Sequence, residues 1–208
     1  MSRAAILSRH EVHPVLAPYL PLFASAYDNA MASWKVSQRT YAQAPTDLSG
    51  STRANWVFDV LTSDLERALV GDPNAHVTRK GRTFYVTVKS KVCVRFKKFR
   101  GPRLGTSSIP TRRATAWAQQ VLLEEEDSGR PTLVVAGYLL DASGLDFERL
   151  AVTCRLDGMD VWEPLDFLGV ADSSSIFPLG SAPSEPSGPV VSPAKGASRR
   201  NVEGGGQR

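Results

Sequence analysis

The chain is poor in the residues that anchor many small folds and catalytic centres. Of its 208 residues only two are cysteine and three are histidine. Cys93 and Cys154 cannot staple a disulfide framework, and neither has the CxxC neighbour of a metal or redox pair. Both fall in alternating apolar stretches, which predicts buried, reduced thiols in a cytoplasmic protein. His10 and His13 lie near the N-terminus and His76 opens a predicted strand, so no metal centre is expected. No run of 18 apolar residues exists, which excludes a multi-span helical membrane protein. Arg9, His10 and Glu11 interrupt the first apolar residues, so no secretory signal and no membrane partner are expected. HExxH, the Walker A loop, GxSxG and GxGxxG are all missing. With them go the zinc peptidases, P-loop enzymes, α/β-hydrolases and dinucleotide-binding proteins that carry those motifs, and no cofactor is expected.

What remains is an ordinary soluble composition, 42% hydrophobic and 22% charged. Pro14, Pro18 and Pro21 argue against a continuous helix at the start, so residues 1–21 read as an irregular segment. From residue 22 onward Leu22, Phe23, Ala26, Tyr27, Ala30 and Trp34 repeat at helical spacing. A second helix, capped by Ser51 or Thr52, carries Trp56, Val57, Val60, Leu61, Leu65 and Leu69 on one stripe and stops at Gly71-Asp72-Pro73. The period then falls to two. Residues 75–79, 82–88 and 91–98 predict three strands joined by tight turns. Thr111 opens a third helix with Ala114, Trp117, Ala118, Val121 and Leu122 on one stripe. Residues 132–140, 145–154 and 159–162 predict a second set of strands. Residues 172–208 hold 8 Ser, 6 Gly and 5 Pro, too little apolar surface for a core, and read as a disordered tail. The order predicts one α+β domain over residues 22–171. Its sheet is mostly antiparallel, made of two β-meanders, with three helices covering one face.

The acids are also missing from one long stretch. Residues 73–123 contain 12 Lys or Arg and no Asp or Glu, while residues 124–172 contain 12 acids and 3 bases. The basic block carries the candidate anion-binding residues Arg82, Lys89, Lys91, Arg95, Lys97, Lys98, Arg100, Arg103, Arg112 and Arg113, with Arg79 and Lys80 beside them. Aromatic residues Phe84, Tyr85, Phe96, Phe99 and Trp117 are interleaved. Such a surface suits phosphate backbones through counterion release and bases through stacking. It suits an acidic protein partner equally, and it is also compatible with neutralisation by the acidic segment or with a plain solvated face. At the third helix, Arg112 and Arg113 sit where the dipole favours anions, and Glu124 to Asp127 where it favours cations. With the hydroxyls of Ser107, Ser108 and Thr111, that helix start reads as a phosphate cradle.

For catalysis the block has no carboxylate pair of a metal-dependent nuclease. A metal-independent ribonuclease needs less: Arg82, Arg95 and Lys97 to hold phosphate, with His76 and Tyr85 as the candidates for proton transfer. The same residues suit a protein that binds without catalysing.

Several runs carry a family likeness: Val94-Arg95-Phe96-Lys97-Lys98-Phe99, Ile109-Pro110-Thr111, Gln119-Gln120, Val135 to Asp141, and Thr52-Arg53-Ala54. Over about residues 50–165 the chain resembles a poorly characterised family of small bacterial and phage proteins. Members look like partners of helix-turn-helix or metallopeptidase-like regulators in toxin–antitoxin or phage-defence gene pairs. The resemblance carries no catalytic motif. It implies a toxin-like, growth-inhibitory module that acts through its basic sheet and is covered by a cognate antitoxin. A non-enzymatic nucleic-acid-binding or regulatory protein, and an interaction module for an acidic partner, are the alternatives.

Overall fold

Both apolar-alternating regions enter a single sheet. The computed structural model describes residues 6–40, 49–81, 83–106, 111–121 and 131–169. The expected tail therefore lies outside the described residues. Strands β1 (Ala75–Lys80), β2 (Thr83–Val88) and β3 (Val92–Arg100) form an antiparallel meander. Strands β5 (Thr132–Leu140) and β6 (Phe147–Leu156) form an antiparallel pair. Short strand β4 (Gly105–Thr106) pairs with β3, and β7 (Met159–Asp160) and β8 (Leu165–Asp166) both pair with β6. The sheet order is β1-β2-β3-β5-β6-β7. The fold is α+β, mostly antiparallel, with one exception at its centre. There β3 and β5 run parallel, with Val92 opposite Thr132 and Lys98 opposite Tyr138, because the chain between them crosses over through a helix instead of a hairpin.

Four helices lie among the described residues. The expected irregular N-terminal segment is corrected: α1 (Arg9–Leu16) occupies its middle. Its start is fixed by Glu11, whose carboxylate accepts from the Ser8 backbone N–H and hydroxyl, both at 2.8 Å. Those bonds hold the Glu11 carboxyl below its usual range. The prolines punctuate the helices instead of abolishing them. Pro14 lies inside α1, Pro18 follows the C-cap residue Ala17, and Pro21 is the second residue of α2 (Leu20–Thr40). A proline just past a helix end or in a first turn removes no helical hydrogen bond. Helix α3 (Gly50–Ala68) is capped by Ser49 instead of Ser51 or Thr52, its hydroxyl accepting from the Thr52 N–H at 3.2 Å.

Helices α1, α2 and α3 cover one face of the sheet. Phe23, Tyr27 and Leu61 meet Val86, Val94, Phe96, Val134 and Val152 in the main core. The Phe23 and Phe96 rings cross edge to face at 5.2 Å, and the buried Tyr27 hydroxyl donates to the Ala136 carbonyl at 3.0 Å. The expectation that all helices share this face is corrected by α4 (Arg112–Ala118). It lies on the opposite face, where Trp117 packs against Tyr85, Cys93 and Leu133. Both cysteines are buried and neither is in a disulfide; they lie one on each face of the sheet. None of the described helices is long and apolar enough to cross a membrane.

Helix α4 is shorter than its apolar stripe suggests, and Val121 lies beyond it. Gln120 takes a left-handed backbone, φ 57°, and Val121 N–H closes back on the Ala116 carbonyl at 2.8 Å. This is a Schellman ending with glutamine where glycine is usual. The Gln120 amide explains the choice. Its Nε2 donates to the carbonyls of Leu133 (2.8 Å) and Arg155 (2.9 Å), and its Oε1 accepts from the Leu133 N–H (2.8 Å). One side chain thus serves backbone groups on both β5 and β6. Gln120→Ala, which leaves those groups unmatched, is expected to cost about 2 kcal/mol in urea denaturation. Gln120→Gly should be milder by about 1 kcal/mol, because glycine relieves the left-handed strain.

Candidate nucleic-acid interface

Side-chain alternation and strand register decide which cations share a face. On the α4 side lie His76, Thr78 and Lys80 of β1, then Thr83, Tyr85 and Thr87 of β2. They are followed by Cys93, Arg95 and Lys97 of β3 and by Leu133, Val135 and Gly137 of β5. Two apolar patches occupy this side. One joins Tyr85, Cys93, Leu133 and Trp117; the other joins Phe99, Leu104, Ala151, Val135 and Leu139. Arg95 and Lys97 lie between them, at the centre of the sheet.

Both cations are half-buried. The Arg95 guanidinium lies over the Trp117 ring, 5.6 Å from its centroid. Burial first, and the nearby Arg113 second, hold Arg95 below its ordinary value. Burial, followed by Arg95, does the same to Lys97. Among the described residues no carboxylate or hydrogen-bond acceptor meets either charged group. Positive charge without a counter-charge at a partly dehydrated place is costly to keep, and an arriving anion relieves the cost.

Other members of the basic block extend this centre along β3. Lys89 and Lys91 are exposed at the turn before it, and Arg103 is exposed beyond its far end; Arg100 alternates with Phe99 and falls, like Lys98, on the opposite face. A nine-residue strand spans about 30 Å, so the cations follow a line comparable with eight or nine base steps of a duplex. Lys98 belongs to the opposite face, beside Tyr138. Arg82 lies outside the described residues.

Of the phosphate cradle expected at the third helix, only Thr111, Arg112 and Arg113 fall among the described residues. Helix α4 has seven residues, and the Thr111 hydroxyl is used as its cap, accepting from the Ala114 N–H at 3.1 Å. Arg113 reaches sideways and donates to Thr83 Oγ1 at 2.9 Å, while Arg112 is exposed. Ser107, Ser108 and the acids Glu124 to Asp127 lie outside the described residues. Since α4 ends at Ala118, those acids are not its last turn.

Candidate proton-transfer groups are separated by burial. Tyr85 is 2% exposed and enclosed by Cys93, Leu133 and Trp117. His76 is exposed on edge strand β1, one diagonal step away. A sealed phenol does not reach a substrate arriving from solvent.

Ion pairs elsewhere show which charges are already matched. Arg79 is held by Glu66 at 2.6 Å and Thr62 at 2.8 Å, and lies over Phe84. Arg149 pairs with Asp166 at 2.5 Å and Arg155 with Asp160 at 2.7 Å, so two of the acidic segment's arginines use its own acids. Lys35 meets Asp146 at 2.5 Å. None of these pairs joins the basic block to the acidic segment, so they give no support to mutual neutralisation.

No family model, curated protein or solved structure matches the chain. The geometry of the face therefore stands by itself.

Sequence reading missed Gln120 as a structural bridge, and missed Tyr138, the register partner of Lys98 on the helix-covered face, and Arg53, whose charge bears on Lys98. Gln120 sat inside an apparent helical stripe and gave no local signal. Arg53 lies more than 80 positions from Tyr138, and nothing local links them.

Proposed function

We propose that this chain binds nucleic acid through the α4 side of its sheet, along β3. The observation that carries the reading is the Arg95–Lys97 pair: two adjacent, half-buried cations with no carboxylate on them among the described residues. Exposed Lys89, Lys91 and Arg103 prolong that positive line, and Trp117 offers a ring beside it. Binding without chemistry fits better than ribonuclease action, since Tyr85 is enclosed. We place this activity in the cytoplasm, as the toxin-like member of a prokaryotic gene pair whose partner covers the same face. That part rests on the sequence resemblance.

The test is fluorescence anisotropy with DNA and RNA oligonucleotides over a salt series. Six phosphate contacts give a log–log slope of about −5 on duplex DNA. A flat response, or no binding at low salt, overturns the nucleic-acid reading and turns attention to an acidic protein partner. Expression in a bacterial host tests the second part: growth arrest relieved by the adjacent gene supports it, and normal growth removes it.

A further inference from the structure

The opposite face holds a second unmatched group of donors. Arg53, in the first turn of α3, donates from Nη1 to the Gly144 carbonyl, yet its buried Nε–H has no acceptor among the described residues. Gly144 has room for this, since a Cβ there would lie 3.1 Å from the guanidinium. Tyr138 is 3% exposed, and its buried hydroxyl also has no partner among the described residues. Lys98 is directly opposite Tyr138 in the β3–β5 register and therefore on the same face. Its ammonium is held below the ordinary value by burial, then by Arg53 and Arg100. The first turn of α3 contains no acid, so the helix dipole adds to the positive potential. The nearby carboxylates are engaged: Asp146 by Lys35, and Asp141 by Ser143 and the backbone of its own turn.

Buried donors are almost always matched; Arg53 Nε and Tyr138 Oη, with Trp34, Thr87 and Trp162, are exceptions among the described residues, and Lys98 adds a positive charge on the same face as Tyr138. Two positive charges and three donor groups fit one dianion with several acceptor oxygens, which is the chemistry of a phosphate group. We infer that Arg53, Lys98 and Tyr138 form a site for a single phosphate group, either free or as a monoester. Its oxygens accept from Arg53 Nε, Tyr138 Oη and Lys98 Nζ. The ligand enters from the half-exposed Lys98 side, and the Arg53 guanidinium shifts to admit it. This site lies across the sheet from the Arg95–Lys97 face and does not depend on the nucleic-acid reading.

The experiment uses the full chain in phosphate-free buffer. Inorganic phosphate is titrated against sodium chloride of matched ionic strength, and melting temperature and calorimetric binding are followed. A saturable rise with phosphate, absent with chloride, is expected. Tyr138→Phe deletes an orphan hydroxyl, so its melting temperature in chloride should equal or exceed wild type, while its phosphate affinity falls about fivefold. Lys98→Gln should keep the fold and lose about tenfold or more. Ribose 5-phosphate identifies the source: tighter binding than inorganic phosphate means a monoester site, equal or weaker binding a site for the free ion. The Arg95→Gln/Lys97→Gln background removes phosphate held on the other face, so a saturable response that persists there and weakens on adding Tyr138→Phe or Lys98→Gln belongs to this site. No rise beyond chloride, or a rise that Tyr138→Phe and Lys98→Gln leave unchanged, overturns the inference.

Discussion

Gly137→Ala is expected to lower stability by about 3 kcal/mol, the upper end of the usual cost of overpacking. A Cβ at this position would lie 2.6 Å from the Lys97 carbonyl oxygen and 2.6 Å from Cζ of Phe99. Neither neighbour can withdraw. Lys97 belongs to β3, which pairs directly with β5 across this seam, and Gly137 is also paired with Ala151 of β6. Phe99 is 1% exposed and packed against Leu104 and Ala151. The methyl therefore pushes on backbone and on a locked ring, at the junction of the parallel and antiparallel halves of the sheet. Gly50→Ala is the control. It meets nothing within 4 Å and sits at the start of α3, so it should be neutral or slightly stabilising. Urea midpoints of the two variants decide the matter. A Gly137→Ala protein as stable as wild type would mean that Phe99 is not held in place.

Arg95→Gln/Lys97→Gln should act in opposite directions on stability and on binding. In the free protein both charges are disfavoured by burial and by each other or Arg113, so removing them should leave the melting temperature level or raise it. The pH dependence carries the same sign. Because the Lys97 value is lowered on folding, the charged lysine penalises the fold at neutral pH. That penalty is relieved as pH rises through the lowered value toward the ordinary lysine range. Wild type should gain stability over that alkaline window, and the double variant should not. Nucleic-acid affinity should fall about 100-fold, roughly tenfold for each charge-assisted contact. The salt slope should become shallower by about 2. A less stable variant would make the two cations structural, and unchanged affinity would place the interface elsewhere.

Much of the strand layout was legible because it is local. Val92, Val94 and Phe96 alternate with Cys93, Arg95 and Lys97, and the structure places the two sets on opposite faces. Gly81 and Gly158 sit at turn positions with φ 59° and 82°, where glycine is the least strained residue. The N-terminal helix was misread from Pro14, Pro18 and Pro21, because proline's effect depends on its position within a helix; the Ser8–Glu11 cap that starts it came out only with the structure.

The candidate site was legible only as a composition. The block without acids names the cations, but alternation alone does not tell which face the helices cover. Arg79, Lys98 and Lys97 look equivalent in sequence. One is matched by Glu66, one lies beside Tyr138, and one is left at the centre of the α4 side.

The sequence by itself determined the α+β class, the register of apolar and polar residues within each strand, and the segregation of charge. These follow from side-chain spacing and from interactions between neighbours in the chain. Only the tertiary structure decided that β3 and β5 lie side by side in parallel, that α4 takes the second face, and which cations have no carboxylate on them among the described residues. The physical reason is distance along the chain. The β3–β5 pairing joins Val92 to Thr132, and the cost of closing so long a loop is met only by the burial of both sheet faces at once, which no local pattern records.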